Sequence, residues 1–443
     1  MRNSAKVLLA VSLLPAVLFC SCGSDAASVM NAPKEVAPAA VHAEGSASAD
    51  AEHVREEAAP ADHAADAVFL ADDAGMPEAE GVMPPEGEIP ESQTESVTEP
   101  PPDDGSQPFV LTAGEWNDNE NWGFFTNLVH TGKISFPSYG LDPVHRIRVT
   151  VGNAAGPAAN QTVTLLDGEN TVWTARTDKN GNAYLFYPAD KTAKTYVLRT
   201  AGAADTVCEV PADTEAQQGG ISVPQLSYTV DTENASVSYQ KTEVMFILDT
   251  TGSMGDEISY LQKDFAAIAG EVADENMTFS VNFYKDAGDT YVTRCNPFTD
   301  DLTAVQSTLN QEYADGGGDT PEAVAEILDE VITQGSWSAD TNKIAFLIFD
   351  APPHSGTENE EKLKAAAASA AEQGIRLVPV VASNAERETE LFGRALAIMT
   401  NSNYVFLTDD SGIGDSHLEP IIGDYKVELL HDIIVRNIRG IAS

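Results

Sequence analysis

Basic residues and cysteines are scarce in this chain, and each shortage limits what the protein can be. Its 443 residues include 25 lysines and arginines against 69 aspartates and glutamates, for a formal net charge of −44. So few cations cannot form the basic surface that collects phosphates, which excludes nucleic acid as a partner. Of the four cysteines, Cys208 and Cys295 lie in different predicted domains. We therefore expect both thiols to be free and buried, although an exported compartment would permit a disulfide.

The apolar run at the N-terminus is too short to span a membrane. Val7 to Phe19 follows two basic residues and is typical of the hydrophobic region of a signal peptide. Ser21 then precedes Cys22, and a small residue just before a cysteine resembles the lipobox of bacterial lipoproteins. The resemblance implies a lipoprotein signal peptide over 1–22, lipidation at Cys22, and a membrane-anchored, extracytoplasmic place in a bacterial cell envelope. An ordinary secretory signal with incidental cysteines is the alternative.

Residues 23–107 have almost no aromatic side chains and no sustained hydrophobic period. They are rich in Ala, Glu, Asp, Pro and Ser. Low hydrophobicity with excess negative charge cannot offset the entropy cost of ordering. The sequence therefore predicts a disordered acidic linker that acts as an extended tether.

The composition changes at Pro108, and residues 108–240 are predicted to form a β module. Aromatic residues such as Trp116 and Trp122 require a core, and short strand patterns follow, separated by turn signals at Asp167-Gly168 and Asn180-Gly181. The pattern predicts a small antiparallel β-sandwich. Over residues 145–215 it resembles carboxypeptidase-regulatory or transthyretin-like modules, which implies a spacer or a stiff platform.

Residues 241–443 alternate between strand and helix patterns, which predicts a mostly parallel sheet covered by helices on both faces. The predicted fold class is α/β, with a Rossmann-like arrangement of six strands. The strands are expected near 244–249, 278–284, 290–295, 343–349, 375–382 and 403–407. The helices are expected near 256–273, 301–313, 321–334, 357–373, 385–400 and 425–439.

The most informative motif is the turn Asp249-Thr250-Thr251-Gly252-Ser253, between a buried-strand run and an amphipathic helix. Ligands bind at such turns in open α/β sheets, just beyond the carboxyl ends of the strands. A carboxylate with neutral hydroxyls is a hard-oxygen set, which suits Mg²⁺ better than zinc or copper.

This spacing resembles the metal-ion-dependent adhesion site of the von Willebrand factor A (vWA) family, whose pattern is Asp-x-Ser-x-Ser, then a distant Thr, then a distant Asp. Asp249, Thr251 and Ser253 match the first part, with Thr in place of the middle Ser. Thr320 lies in the Gly-rich segment after Gly316, and Asp350 follows an apolar strand run, so each matches the family by order and by position on a loop.

The resemblance implies that these five residues hold one Mg²⁺ or Mn²⁺. Thr251 and Ser253 would bind through their hydroxyls, and Thr320 directly or through water. Asp249 and Asp350 would hold the coordinating waters. The neutral hydroxyls leave the ion with uncompensated positive charge, and the open position would accept a carboxylate from a partner protein.

Three other interpretations stay open. The turn is an N-cap only, which explains neither Thr320 nor Asp350. The domain is a degenerate one that folds without metal. The protein is a hydrolase with Ser253 as nucleophile and His354 as base, although the Gly-x-Ser-x-Gly elbow is missing. Asp319 and Glu322 are candidates for tuning the charge of the site, but helix capping and the helix dipole explain them as well.

We therefore expect a non-enzymatic binding or adhesion protein that uses a magnesium site to hold an acidic residue of a partner. The alternative is an assembly or chaperone-like component of an envelope complex. Because the chain has no GxxxxGK[ST] motif, such a component would work with a separate ATPase.

Overall fold

The computed structural model describes residues 110–136, 139–190, 192–216, 220–318, 320–411 and 416–442. All of them belong to the compact unit Val97–Ser443. The predicted signal peptide with Cys22 and the whole of the predicted linker, 23–107, lie outside the described residues. Within the described part of the chain, no helix is long and apolar enough to cross a membrane.

The described residues contain eighteen strands and seven α-helices. The first eleven strands are β1 (Thr112–Trp116), β2 (Arg146–Asn153), β3 (Gly156–Pro157), β4 (Thr162–Asp167), β5 (Asn170–Arg176), β6 (Asn182–Phe186), β7 (Lys194–Thr200), β8 (Thr206–Val210), β9 (Thr214–Glu215), β10 (Ile221–Ser222) and β11 (Leu226–Asp231). The other strands are β12 (Lys241–Asp249), β13 (Met277–Tyr284), β14 (Thr293–Arg294), β15 (Thr341–Phe349), β16 (Ile375–Val381), β17 (Tyr404–Leu407) and β18 (Glu428–Leu429). The helices are α1 (Trp122–His130), α2 (Gly255–Val272), α3 (Leu302–Leu309), α4 (Val324–Leu328), α5 (Thr357–Gln373), α6 (Arg387–Met399) and α7 (Leu430–Ala442).

The main sheet has eight strands in the order β14-β13-β12-β15-β16-β17-β1-β18. The five strands from β13 to β17 in that order are parallel. Antiparallel strands lie on both sides of them: β14 pairs with β13, β1 with β17, and β18 with β1. The mixed α/β fold with a mostly parallel sheet is therefore as predicted.

The predicted sheet of six strands was too small, because β1 and β18 add to it. The strand Thr112–Trp116, which the sequence placed in the β module of 108–240, pairs in register with Tyr404–Leu407. Ala113 in this strand is fully buried in the core of the α/β sheet. The sequence showed that this segment needs a core, but pairing between residues about 290 positions apart leaves no local pattern.

Strand β12 is apolar throughout because helices cover both faces of the sheet. Val244, Phe246 and Leu248 lie in one core cluster, with residues of α2, α3 and α7. Met245 and Ile247 point to the opposite cluster, with residues of α4, α5 and α6. Because both faces of β12 are packed, its last residue, Asp249, has a fixed position at the edge of the sheet.

The β module contains two four-stranded sheets, and the short strands β9 and β10 pair separately. One sheet joins β11, β2 and β3, with β6 on β2, and the other has the order β5-β4-β7-β8. The sheets pack together through Trp173 and Phe186, whose rings are 5.3 Å apart. The module is not purely antiparallel, because β11 runs parallel to β2.

Other predictions need smaller corrections. Strand β14 contains only Thr293–Arg294, and the helix predicted over 321–334 begins at Val324 and continues as a π-helical turn over Asp329–Thr333. Cys208 and Cys295 are both free, as expected. Cys208 is buried, but Cys295 is exposed because it follows the short edge strand β14.

Candidate functional site

Asp249 is the last residue of β12, and its carboxylate is completely buried. Its Oδ1 accepts hydrogen bonds from the Thr251 backbone N–H at 2.9 Å and from the Thr251 hydroxyl at 2.6 Å. Its Oδ2 makes no hydrogen bond of ordinary geometry among the described residues, but the buried Tyr284 hydroxyl lies close enough to the carboxylate to lower its pKa. Burial, and next the charge of Asp350, raise the pKa of Asp249 to about 7. A carboxylate with a buried, unused oxygen is costly unless something positive compensates it.

Asp350 follows β15, the strand next to β12, so its carboxylate reaches the same edge of the sheet. It is 7% exposed, and its Oδ1 also lacks a partner within the described residues. Burial raises the pKa of Asp350 to about 6; the Ser253 hydroxyl lowers it and the charge of Glu257 raises it. Asp350 is therefore close to both Ser253 and Glu257.

Glu257 lies in the first turn of α2, and it is buried instead of solvated as a first-turn residue would be. Its Oε1 accepts hydrogen bonds from the Ser383 backbone N–H at 3.2 Å and from the Ser383 hydroxyl at 2.5 Å. Its Oε2 has no partner in the described part of the chain. Glu257 thus adds negative charge behind Asp350.

Glu322 contributes a further buried carboxylate, which the sequence analysis could not separate from a helix-dipole residue. It precedes α4 and forms a bridge with Pro353, in which its backbone N–H donates to the Pro352 carbonyl at 3.0 Å. The residue is 3% exposed, and its Oε2 is unpartnered among the described residues. Burial, and then the charges of Asp249, Asp286, Asp350 and Asp289 in decreasing order, raise the pKa of Glu322 to about 9.

The glycines before Thr320 let the loop approach the turn closely. Gly316 and Gly317 have φ angles of +76° and +68°, which other residues rarely adopt. A Cβ on Gly317 would lie 3.0 Å from both Glu322 Oε1 and Thr251 Cβ. The Gly252 backbone N–H donates to the Gly316 carbonyl at 3.1 Å. These contacts hold the loop against the turn of Asp249.

Lys285 links the turn after β12 to the Gly-rich loop. It is 1% exposed, and its Nζ donates to the carbonyls of Thr250 at 2.5 Å and Asp315 at 2.7 Å. It also forms an ion pair with the Asp315 carboxylate. The ammonium thus connects the turn to the loop. This role was not predicted, because Lys285 is a single polar residue after an apolar strand.

Four of the five residues predicted to bind metal lie at one edge of the sheet: Asp249, Thr251, Ser253 and Asp350. Thr320 lies on the adjoining loop and is exposed. No hydrogen bond joins its side chain to the other four among the described residues. His354, considered as a base, instead binds Asp286, with Nε2 2.6 Å from Oδ1, and does not contact Ser253.

The donors present fit a divalent cation. Asp249, Asp350 and Glu322 each bring one buried oxygen without a partner. Asp350 raises the pKa of Asp249, and both aspartates raise the pKa of Glu322. Hydroxyls of Thr251 and Ser253 lie beside them. Carboxylate and hydroxyl oxygens are the ligands that Mg²⁺ and Mn²⁺ prefer. No group of three or more His, Cys, Asp or Glu side chains already has metal-binding geometry among the described residues, and a site built partly from hydroxyls would not form one.

Comparison with known proteins agrees with the mixed α/β fold of the C-terminal part of the chain. Residues 243–414 match the model of the von Willebrand factor A domain family, so this part of the chain is similar to a vWA domain. One matching solved structure is the crystal structure of the conserved hypothetical protein BatB from Bacteroides thetaiotaomicron. It is 14% identical, the match covers 45% of this chain and 86% of that one, and the TM-score is 0.27. No curated protein matches the chain.

Proposed function

We propose that the protein is a non-enzymatic binding or adhesion protein whose vWA domain holds one Mg²⁺ or Mn²⁺ and, through it, an acidic residue of a partner protein. The observation that carries the proposal is the group of buried carboxylate oxygens without partners, on Asp249, Asp350 and Glu322. Protein interiors rarely leave such atoms unpaired, and a cation with its bound waters would compensate their negative charge.

In this proposal Thr251 and Ser253 present hydroxyl oxygens to the cation, while Asp249 and Asp350 supply charge and hold its waters. Thr320 lies on the exposed loop and completes the set. The bound ion supplies a positive charge that a partner carboxylate can reach. The residues of the domain would position the turn, exclude water from the buried side of the site and hold the Gly-rich loop close to it.

Tyr313 favours a protein as the partner. It is 64% exposed and lies on the segment that Lys285 holds beside the site, because the Lys285 Nζ donates to the Tyr313 carbonyl at 3.5 Å. Exposed aromatic residues at the rim of a polar site are common anchors in protein interfaces. A partner could therefore combine a carboxylate at the cation with an apolar contact on Tyr313.

The place of action that we propose is the extracytoplasmic side of a bacterial membrane, with the chain anchored by lipid on Cys22. The proposal rests on Ser21-Cys22 after a short apolar run. The acidic residues 23–107 would then separate the vWA domain from an anionic membrane surface.

Metal-dependent capture tests this function. Full-length protein and its Asp249→Asn variant are used as baits for envelope proteins of the source organism, in Mg²⁺ and in EDTA. We expect partners that bind the wild type in Mg²⁺, are released by EDTA, and do not bind the variant. The same set of proteins on both baits, regardless of EDTA, would contradict the proposal.

A further inference from the structure

Thr250 lies between two of the predicted metal ligands, Asp249 and Thr251, and its side chain is completely buried. Its hydroxyl donates to the Tyr284 carbonyl at 2.8 Å and lies 2.6 Å from the Tyr291 hydroxyl. Its backbone N–H donates to the same Tyr284 carbonyl at 2.9 Å. The contacts that hold Thr250 therefore also fix the two side chains next to it in the turn.

Tyr291, between β13 and β14, connects this turn to the protein surface. Its hydroxyl donates to Glu312 Oε1 at 2.9 Å, and Glu312 Oε2 accepts a hydrogen bond from Arg294 at 2.8 Å. The Glu312 side chain is 5% exposed, whereas that of Arg294 is 52% exposed. The Arg294 guanidinium also lies 3.8 Å from the centre of the Tyr291 ring. A continuous series of polar contacts therefore runs from an exposed cation to the buried turn.

This series has fewer protons than contacts. The Tyr284 carbonyl meets the Thr250 hydroxyl, which meets the Tyr291 hydroxyl, which meets the Glu312 carboxylate, so three contacts follow one another. A carbonyl, and a carboxylate paired with Arg294, only accept hydrogen bonds, and each hydroxyl has a single proton to donate. Two protons cannot serve three contacts. When Tyr291 donates to Glu312, Thr250 can donate either to Tyr291 or to the Tyr284 carbonyl, but not to both.

The missing proton links the surface contact to the turn. One of the three short contacts must join two oxygens with no proton between them, which is unfavourable where water cannot reach. If Tyr291 donates to Thr250 instead, the Thr250 hydroxyl remains bound to Tyr284, and Glu312 keeps only Arg294. The direction of the Tyr291 hydroxyl therefore decides how firmly Thr250 is held, and Glu312 competes with Thr250 for that one proton.

We propose that Tyr291 is a positioning residue for the turn after β12, and that Glu312 weakens this positioning by accepting the only proton of the Tyr291 hydroxyl. The proposal rests on the proposed metal-binding function, because the turn contains Asp249 and Thr251. A turn that is already held in place binds a ligand more tightly than one that must first be ordered. Tyr291 therefore acts on the affinity for the cation through Thr250, without touching the cation.

Tyr291→Phe removes the hydroxyl and keeps the ring. By calorimetric titration of Mg²⁺ into the full-length protein, we expect affinity to fall about three- to tenfold, the effect of one hydrogen bond. Tyr260→Phe in α2 is the matched control, because the buried Tyr260 also donates to a carboxylate, that of Asp264 at 2.7 Å. Its affinity should equal that of the wild type. Unchanged affinity in Tyr291→Phe, or an equal loss in both variants, would overturn the proposal.

Glu312→Gln supplies the missing proton. The amide N–H can donate to Tyr291, Tyr291 to Thr250, and Thr250 to the Tyr284 carbonyl, so all three contacts are satisfied. In about 0.15 M salt, which screens charges more than about 8 Å apart, we expect Mg²⁺ affinity equal to or above that of the wild type. The double variant with Tyr291→Phe should lose as much affinity as Tyr291→Phe alone. A loss in Glu312→Gln as large as that in Tyr291→Phe would overturn the competition for the proton.

Hydrogen exchange in EDTA tests the same positioning without metal. The backbone N–H groups of Thr250, Gly252 and Met254 all donate hydrogen bonds within or next to the turn. We expect faster exchange over 250–254 in Tyr291→Phe, equal or slower exchange in Glu312→Gln, and no change in Tyr260→Phe. This order of rates in a protein that binds no Mg²⁺ would contradict the proposed function and support the positioning of the turn. Equal rates in all four proteins, with Mg²⁺ bound by the wild type, would overturn the positioning alone.

Discussion

At the scale of single residues, the proposed metal site depends on carboxylates that are buried close together. Glu322 is the least expected of them, because its burial depends on the bridge to Pro353 and not on a position in a helix. The pKa of about 9 for its carboxyl group means that, without a cation, it is largely protonated at neutral pH. A divalent cation nearby would favour the ionised form of the Glu322 carboxyl group. The cation would then be stabilised by one more carboxylate.

Glu322→Gln tests this role. The amide keeps the size of the side chain and removes its charge, and affinity for divalent ions depends on the number of charged ligands. We expect Mg²⁺ affinity to fall about tenfold, or about 1.4 kcal/mol, by calorimetry. Glu326→Gln is a suitable control, because it removes the same charge from a residue of α4 that pairs with Lys362 of α5. Equal affinities in the wild type and in Glu322→Gln would show that Glu322 does not act on the cation.

At the scale of elements, the Gly-rich loop must lie tightly against the turn after β12. Gly317→Ala would place a Cβ 3.0 Å from Thr251 and Glu322, in a left-handed backbone conformation. We expect a loss of about 1–2 kcal/mol in the free energy of unfolding by urea, together with weaker Mg²⁺ binding. Gly270→Ala in α2 has open space around its Cβ and should be neutral or stabilising. A Gly317→Ala variant as stable as Gly270→Ala would contradict this account of the loop.

The β module contains a pH-dependent contact of its own. His145 is buried between Asp142 and Asp213, with ring nitrogens 2.6 Å and 2.8 Å from their carboxylates. Burial lowers the pKa of His145, but hydrogen bonds and charge from Asp142, and then Asp213, outweigh it and raise the pKa above 6.5. The protonated ring therefore stabilises the fold below the unfolded pKa, and this contribution is lost as the pH rises through the folded value.

We accordingly expect the free energy of unfolding to fall more steeply in the wild type than in His145→Gln as the pH rises from about 6 to about 8. Urea titrations at a series of pH values measure the two slopes. His431, held between Asp264 and Glu271, also has a raised pKa and contributes with the same sign in both proteins. Equal slopes in the two proteins would show that His145 does not cause the loss of stability with rising pH.

The sequence predicted those parts of the site that local spacing determines. Asp249, Thr251 and Ser253 share one turn, so their proximity follows from strand and helix signals alone. Glu322 was only a candidate for tuning the charge of the site, and Lys285 was not predicted to contribute to it. The burial of both residues depends on segments that meet only in the folded sheet. The pairing of Thr112–Trp116 with Tyr404–Leu407 was missed for the same reason.

At the scale of the whole molecule, the proposed lipid anchor on Cys22 would decide where the protein acts. A diacylated cysteine gives firm membrane attachment, whereas a single acyl chain gives only marginal binding. We expect Cys22→Ala to release the protein to the medium or to leave the precursor uncleaved, and Cys20→Ala to have little effect. Labelled palmitate and cell fractionation measure the outcome. Equal incorporation of palmitate without Cys22 would contradict the lipid anchor.

The most direct test of the account is calorimetric titration of Mg²⁺ into the metal-free full-length protein and its Asp249→Asn variant. Asp205→Asn, an exposed carboxylate on the β module, controls for weak binding to the acidic surface. We expect one saturable site in the wild type and in Asp205→Asn, and none in Asp249→Asn. In EDTA, Asp249→Asn should melt no lower than the wild type, because the variant removes a buried charge next to Asp350. Undiminished Mg²⁺ binding by a correctly folded Asp249→Asn protein would contradict the central claim.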